Sequence, residues 1–370
     1  MGTFAVIAAG GTGGHVVPGL AVARALLERG HRAEELHFVG SERGIDAELV
    51  PAAGFPLTTL PGRGIERRLS LAAVRAALGL VVGVLRGVAV VRRLRPSVVV
   101  VFGGYAAVPC VVGAVVWRIP MVVVARDARA GAADRLAARF ARACAVPFVD
   151  TDLPRAVVTG NPVRAEVLAV DAERDRSAAR EELGLPADRT VVAVFTGSLG
   201  SARVNAAVAE LARRWRDRDD LAVRHVVGTR DFDRYAATPP ELEPGGLVYQ
   251  LVRYEDRMDL LLAAADVAVT RAGGATVAEL AVVGLPAVLV PLPIATRDHQ
   301  TANARALVDA DAAVLVPDAE LDTDRLAAEL TPLVDDPARR SAMAAAARRL
   351  GRRDAADRVA DLVEEHARRG

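Results

Sequence analysis

The sequence predicts an α/β protein made of two doubly wound, Rossmann-like halves that face one another across a cleft. Three observations predict it. Short Val- and Ala-rich runs alternate with helical patterns. Those runs are apolar on both faces, as strands of a parallel sheet covered by helices on each side must be. The alternation stops near mid-chain and then begins again.

Taken in order, strands are expected at Thr3–Ala9, Glu35–Val39, Val98–Phe102, Met121–Val124 and Ala143–Val146. Residues 149–186 interrupt the theme with Pro154, Pro162, Pro186 and a charge run from Asp171 to Arg180, which marks a domain junction. From Thr190 the theme resumes with Val191–Phe195, Val223–Val227, Leu247–Gln250, Val267–Thr270 and Ala287–Val290. The tail from Pro337 to Arg369 reads as helix, rich in Ala and Arg.

A length of 370 residues favours two domains of ordinary size. With 47 basic residues against 46 acidic ones the net charge is +1, which argues against a general nucleic-acid binder. Every basic residue apart from histidine is an arginine. Cys110 and Cys144 belong to no Cys-x-x-Cys or Cys/His cluster, so neither a disulfide framework nor a structural zinc site is supported. Thr3–Ala9 is too short for a secretory signal and runs straight into a glycine loop. The longest apolar stretch, Leu69 to Leu94, is broken by Arg75 and Arg86, whereas a spanning helix needs about 20 uncharged apolar residues.

In such folds ligands bind beyond the carboxyl ends of the strands, so the loops there carry the chemistry. The first strand ends in Gly10-Gly11-Thr12-Gly13-Gly14-His15, with Pro18 early in the following helix. These glycines either cradle an anion on backbone N–H groups at the helix start or simply make a tight turn. Val16 stands where a dinucleotide fingerprint needs its third glycine, and no Lys-Ser/Thr pair completes a phosphate-binding Walker loop. His15 stands beside this loop as a general base or as a histidine bonded to backbone. Phe102-Gly103-Gly104-Tyr105 closes another strand in the same way, Tyr105 lining an acceptor pocket or packing.

In the second half, Thr196-Gly197-Ser198-Leu199-Gly200-Ser201 is another anion-binding turn. Arg271-Ala272-Gly273-Gly274-Ala275-Thr276-Val277-Ala278-Glu279 makes a further strand-to-helix turn. There Glu279 either bonds ribose hydroxyls or offsets the helix dipole. Asp298-His299-Gln300 suits sugar hydroxyls, and Arg164 in Gly160-Asn161-Pro162-Val163-Arg164 suits a diphosphate. Asp150-Thr151-Asp152 has the form of a metal-binding pair but lies in the junction, and no metal site is expected.

This ordered set, completed by Thr301-Ala302-Asn303-Ala304, resembles the MurG family of peptidoglycan N-acetylglucosaminyltransferases, within glycosyltransferase family 28 and of GT-B architecture. The resemblance spans nearly the whole chain. It implies inverting transfer of GlcNAc from UDP-GlcNAc to the C4 hydroxyl of undecaprenyl-diphosphate-linked muramoyl-pentapeptide, without a metal or other cofactor. It implies that Thr12, Gly13 and Gly14 touch the sugar nucleotide and that Arg164 and Ser198 hold phosphate. Gly274, Ala275, Thr276, Val277, Ala278 and Glu279 would take diphosphate and ribose, Gln300 would read GlcNAc, and the uracil loop would fall near Tyr254–Glu255. His15 is the candidate base. The domains expected are 1–160 for acceptor and membrane, 161–352 for the UDP-sugar, and 353–370 as a helix packing back on the first domain.

Two departures stand out. The family's usual His-Glu-Gln-Asn reads Val124-Ala125-Arg126-Asp127, with Asp127 in the Asn place, and Gly-Gly-Ser-Gln-Gly reads Thr196-Gly197-Ser198-Leu199-Gly200. A transferase with another lipid or metabolite acceptor, and a UDP-sugar-binding protein without turnover, are the alternatives this leaves. Residues 61–95 hold eight arginines and one acid, Glu66, a local charge of +7 interleaved with Leu, Val and Ala. That pattern is either a core-facing helix with solvated arginines or a basic amphipathic surface for anionic lipid, which would place the protein peripherally at the cytoplasmic membrane face.

Overall fold

The computed structural model describes residues 2–11, 13–42, 44–61, 71–104 and 107–368, with the backbone alone for 71–81. The chain forms two compact units, Met1–Arg164 with Arg352–Gly370, and Ala165–Gly351.

The first unit holds β1 (Ala5–Ala8), β2 (Leu36–Ser41), β3 (Leu57–Leu60), β4 (Val98–Val101), β5 (Met121–Val124), β6 (Ala143–Val146) and β7 (Ala156–Val158). They pair in the order β3-β2-β1-β4-β5-β6-β7. Each pairing is parallel, Ala5 lying opposite both Leu36 and Val98. Because β1, β4, β5 and β6 are buried throughout, both faces of the sheet need apolar cover. Helices Gly13–Glu28 and Ala355–His366 supply it on the side of Ile7, Val100 and Val122. Helices Leu71–Leu94 and Ala107–Val116 supply it on the side of Val6, Val99 and Val123. The last helix is fastened to the first unit by Arg29, which donates to Asp361 at 2.5 Å and Glu364 at 2.9 Å.

The second unit repeats the plan with β8 (Thr190–Phe195), β9 (Leu221–Val226), β10 (Val248–Val252), β11 (Val267–Thr270), β12 (Ala287–Leu289) and β13 (Ala313–Leu315). Their order is β10-β9-β8-β11-β12-β13, again parallel. Every strand expected from the sequence is present, and β3, β7 and β13 are additional edge strands. The junction read at 149–186 proves partly structured: β7 completes the first sheet, and helix Ala172–Glu182 belongs to the second unit.

In each sheet the strand order reverses once, between β1 and β4 and between β8 and β11. At such a point the connections leave in opposite directions and open a crevice at the strands' carboxyl ends. Asp266, immediately before β11, holds that strand in place by accepting from Val191 N–H and from the buried Arg180, each at 2.7 Å. Arg180 also donates to the carbonyls of Ala264 and Ala187. Replacing one member of a buried ion pair strands the other, so Arg180→Ala should cost about 3 kcal/mol. Urea unfolding should show that loss as an earlier transition of the second unit, and an unchanged midpoint would mean that Arg176, 3.0 Å from Asp266, suffices.

Candidate active site

In the first unit the reversal brings the turn after β1 beside the turn after β4. Gly11 has φ +100°, and the next helix begins at Gly13. Beneath the loop, the fully buried Asp46 accepts from Gly11 N–H at 3.2 Å and from Ser41 N–H. A carboxylate therefore takes one of the amides the sequence offered to an anion, and any ligand must use the helix-start amides beyond it. Gly103 and Gly104, at φ +81° and +80°, pack tightly on this loop. A side chain on Gly104 would meet the Gly10 carbonyl at 2.5 Å. The His15 ring lies 3.5 Å from where a Cβ on either glycine would sit. Burial first, then Arg126, pull the His15 pKa down to about 3, so its imidazole is neutral at working pH. Thr12 and Tyr105 lie outside the described residues.

At the end of β5, Val124 and Ala125 are buried, so the polar chemistry there falls to the partly buried Arg126 and Asp127. Arg126 donates to the Gly14 carbonyl at 2.7 Å, and its own carbonyl accepts from Asn161 Nδ2 at 2.9 Å. Arg164 is the last residue of this segment of the unit. Asp134, in helix Ala132–Ala138, is buried beside them. Burial pushes its pKa up to about 6, with Arg126 opposing and Asp127 reinforcing the shift. Arg126 Nε, Asp134 Oδ1 and Asn161 Oδ1 are buried and find no hydrogen-bond partner among the described residues. Buried polar atoms are normally satisfied, and these three lie at one sheet end.

In the second unit the turn after β8 exposes Ser198 and Leu199 and ends at Gly200, φ +76°, where any side chain would collide with the Val227 carbonyl. Asn205 donates to that carbonyl at 3.0 Å, which forces its Oδ1 to accept from His225 Nε2 at 3.1 Å. His225 Nδ1 then accepts from the Tyr249 hydroxyl at 2.7 Å. Burial lowers the His225 pKa to about 3, which keeps this tautomer neutral. Thr229 fixes the other side of the turn by donating through N–H and hydroxyl to the Ser198 carbonyl.

The turn after β11 leads into helix Gly274–Val283, whose N-cap, Gly273, has no side chain to bond the first-turn amides. Those amides and the helix dipole suit an anion. Ala275, Thr276 and Ala278 are partly exposed there, while Gly274, Val277 and Glu279 are buried. Arg271 draws the neighbouring strand ends together, donating to the Val290 and Pro291 carbonyls, Asp318 and Ser201 Oγ. Gln300 Oε1 accepts from Ala272 N–H at 3.2 Å and Leu292 N–H at 2.9 Å, which turns its amide NH2 to other work. Just before it, Arg297 and Asp298 adopt left-handed backbone, at φ +57° and +53°. Glu255 is committed to Arg224 at 2.8 Å and to Arg257 N–H at 3.1 Å, so it shapes its loop, and the exposed neighbour is Tyr254.

Sequence reasoning missed Asp46, Asp134, Asn205 and His225. Each is a single polar residue inside a helix or strand, with no motif around it, and Asp46, Asn205 and His225 bond partners distant in sequence, such as His225 for Asn205 and Gly11 for Asp46.

The model described as the glycosyltransferase family 28 N-terminal domain matches residues 5–146, and that of the family 28 C-terminal domain matches 191–359. A relative from Desulforudis audaxviator (strain MP104C) is 37% identical, with 99% of each chain covered. One from Acidothermus cellulolyticus is 41% identical over 98% of this chain and 97% of its own. Both carry the name UDP-N-acetylglucosamine--N-acetylmuramyl-(pentapeptide) pyrophosphoryl-undecaprenol N-acetylglucosamine transferase. The crystal structure of Acinetobacter baumannii MurG superposes with a TM-score of 0.75 at 26% identity, covering 99% of this chain and 100% of its own. The glycotransferase of kitacinnamycin, at 20% identity, shares the fold with a TM-score of 0.70 over the full length of both chains.

The two neutral histidines give this protein an acid-sensitive stability. Their folded pKa values lie below the unfolded value of 6.5, so the stability they preserve is complete above pH 6.5 and is lost as pH falls towards 3. At pH 5 each should cost on the order of 2 kcal/mol, while protonation of Asp134 below pH 6 returns on the order of 1 kcal/mol. The thermal midpoint should therefore drop between pH 7 and pH 5. A midpoint that holds or rises over that interval would contradict the neutral assignment.

Proposed function

The chain belongs to glycosyltransferase family 28, and on that premise we propose that it transfers N-acetylglucosamine from UDP-N-acetylglucosamine to a muramoyl-pentapeptide on undecaprenyl diphosphate. The product is the disaccharide-linked lipid of peptidoglycan synthesis. The observation that carries the reading is the helix start at Gly274, where uncapped amides, a buried Glu279 and the Gln300 amide stand together beyond β11.

In this reading the second unit holds the donor. The amides of Gly274, Ala275 and Thr276, with Ser198, take the diphosphate, and the helix dipole steadies the charge that grows on departing UDP. Glu279 accepts from the ribose hydroxyls, Gln300 donates to a sugar hydroxyl, and the Tyr254–Glu255 segment borders the uracil. The first unit serves the acceptor, with Asp127 bonding it. As the acceptor C4 oxygen bonds to C1 of the sugar, the bond from C1 to the diphosphate breaks and its electron pair leaves with UDP. His15 takes the hydroxyl proton, and attack opposite the leaving group inverts C1.

Membrane attachment is part of the same proposal. Helices Leu71–Leu94 and Ala107–Val116 pack closely through Gly87 on Pro109 and Gly113 on Val91. Their outer sides expose Val82, Leu85, Val115, Val116 and Trp117 beside Arg86, Arg92, Arg93 and Arg118. The Arg92 guanidinium lies 5.2 Å from the Trp117 ring centroid. Apolar tips set among arginines suit the boundary between lipid headgroups and acyl chains. Arg63, Arg67 and Arg68 lie outside the described residues, as does the Arg75 side chain. Among the described residues no helix is long and apolar enough to cross a membrane.

Release of UDP in the presence of UDP-N-acetylglucosamine and the lipid-linked acceptor tests the reaction, and turnover only with other acceptors would redirect it. His15→Ala should lower kcat by about 100-fold or more with donor KM little changed. Glu279→Ala should instead raise donor KM about tenfold through lost ribose bonds, and the reverse pattern would exchange the two roles. Neutralising Arg86, Arg92 and Arg93 together should weaken binding to vesicles containing acidic lipid by about fivefold per arginine. Equal binding to neutral and acidic vesicles would overturn the electrostatic part of the proposal.

A further inference from the structure

The turn that presents Ser198 rests on the backbone just beyond β9. Gly200 closes the turn by donating its N–H to the Gly197 carbonyl at 3.0 Å. On its underside Gly200 lies against the Val227 carbonyl, and a side chain on Gly228 would strike Gly200 N and the Leu199 carbonyl carbon. Thr229 then holds the Ser198 carbonyl through its N–H at 2.9 Å and its hydroxyl at 3.1 Å. Wherever residues 227–229 are placed, Ser198 and the amides around it must follow.

A line of buried polar groups does that placing. Asn205, fully buried in helix Ala202–Arg214, donates through Nδ2 to the Val227 carbonyl at 3.0 Å and to Asp231 Oδ2 at 3.3 Å. Two acceptors occupy its NH2 group, so Oδ1 faces His225 Nε2, which donates to it at 3.1 Å. The Tyr249 hydroxyl donates to His225 Nδ1 at 2.7 Å and completes the line from β10 through β9 to the helix. His225 itself is fully buried, so it acts through Asn205 alone. Without it Asn205 Oδ1 would be a buried acceptor with no donor, and the side chain would shift to find one. Such a shift releases the Val227 carbonyl and loosens the turn above it.

We infer that His225 is a positioning residue for the diphosphate of the donor, acting through Asn205 and the Val227 carbonyl on the turn that carries Ser198. The inference rests on the reading of that turn as a phosphate site. It makes a selective claim: a ligand with a diphosphate senses the loss of His225, and the nucleoside alone does not.

The test uses the full chain, with UDP and uridine as probes in titration calorimetry and turnover measured with UDP-N-acetylglucosamine and the lipid-linked acceptor. His225→Phe should weaken UDP and raise donor KM by about tenfold, with kcat and uridine affinity each within about twofold of wild type. His225→Gln keeps a donor for Asn205 and should recover UDP affinity to within about threefold of wild type. In an Asn205→Ala background, His225→Phe should cost less than a further twofold or so, because the link is already cut. Tyr249→Phe leaves the histidine in place and should weaken UDP alone by about threefold, which keeps the test open if the His225→Phe chain does not fold. Equal losses of UDP and uridine, an unchanged UDP affinity, or losses that multiply in the double variant would overturn the inference and leave the donor site standing. Failure of wild type to bind UDP at all would overturn the donor reading and the role of His225 with it.

Discussion

Two parallel sheets, each reversing its strand order once, set the terms for everything else in this molecule. Where β1 pairs with both β2 and β4, and β8 with both β9 and β11, two strand-to-helix turns must come together at the carboxyl ends. Crowding there excludes side chains. Gly104 fits against the Gly10 carbonyl and Gly200 against the Val227 carbonyl because neither has a Cβ. The glycines that read as ligand cradles in the sequence are thus first a packing requirement of the topology. What they leave for a ligand is decided by how many amides the protein uses itself. At Gly11 a buried carboxylate takes the amide, whereas at Gly274 no side chain caps the helix. That contrast supports an anion at the second unit's turn more than at the first.

The legible part of the fold is the part in which burial on both faces writes a continuous apolar run. Val98–Val101 and Met121–Val124 have no exposed residue and could be read directly as inner strands. The strands that escaped notice are edge strands with mixed burial: Leu57–Leu60 has one buried residue, and Ala156–Val158 is mostly exposed. Pairing on one side only removes the need for an apolar run, and with it the signal. The site follows the same logic. The glycine turns after β1, β4, β8 and β11 were legible because turn chemistry is local. Asp46 and Asp134 were not, since a buried carboxylate is defined by what folds over it, and an Asp within a helix usually faces solvent.

The polar groups beneath the two turns combine satisfied networks with unpartnered atoms. In the second unit, His225, Asn205 and Tyr249 use one another fully, each donor matched to an acceptor along Tyr249, His225, Asn205 and the Val227 carbonyl. Such a satisfied network makes a low-dielectric interior rigid, which is what a turn that must hold fixed amides needs. In the first unit Arg126, Asp134 and Asn161 each keep a buried atom without a partner among the described residues. Folding alone does not favour that arrangement, because each such atom costs desolvation with nothing in return. Thr196 Oγ1, at the start of the second unit's turn, is likewise buried without a partner among the described residues, so both sheet ends keep polar atoms that folding leaves unused.

Where relatives of the MurG family usually carry His-Glu, this chain carries Val124-Ala125, both withdrawn into the core, followed by Arg126 and Asp127. The substitution changes the electrostatics of the strand end more than its shape. An arginine bonded to the Gly14 carbonyl sits one residue from His15 and disfavours a protonated imidazole. Asp134, on the neighbouring helix Ala132–Ala138, is buried at the same sheet end with one oxygen unpartnered among the described residues, so the polar character that Val124 and Ala125 lack reappears one helix away.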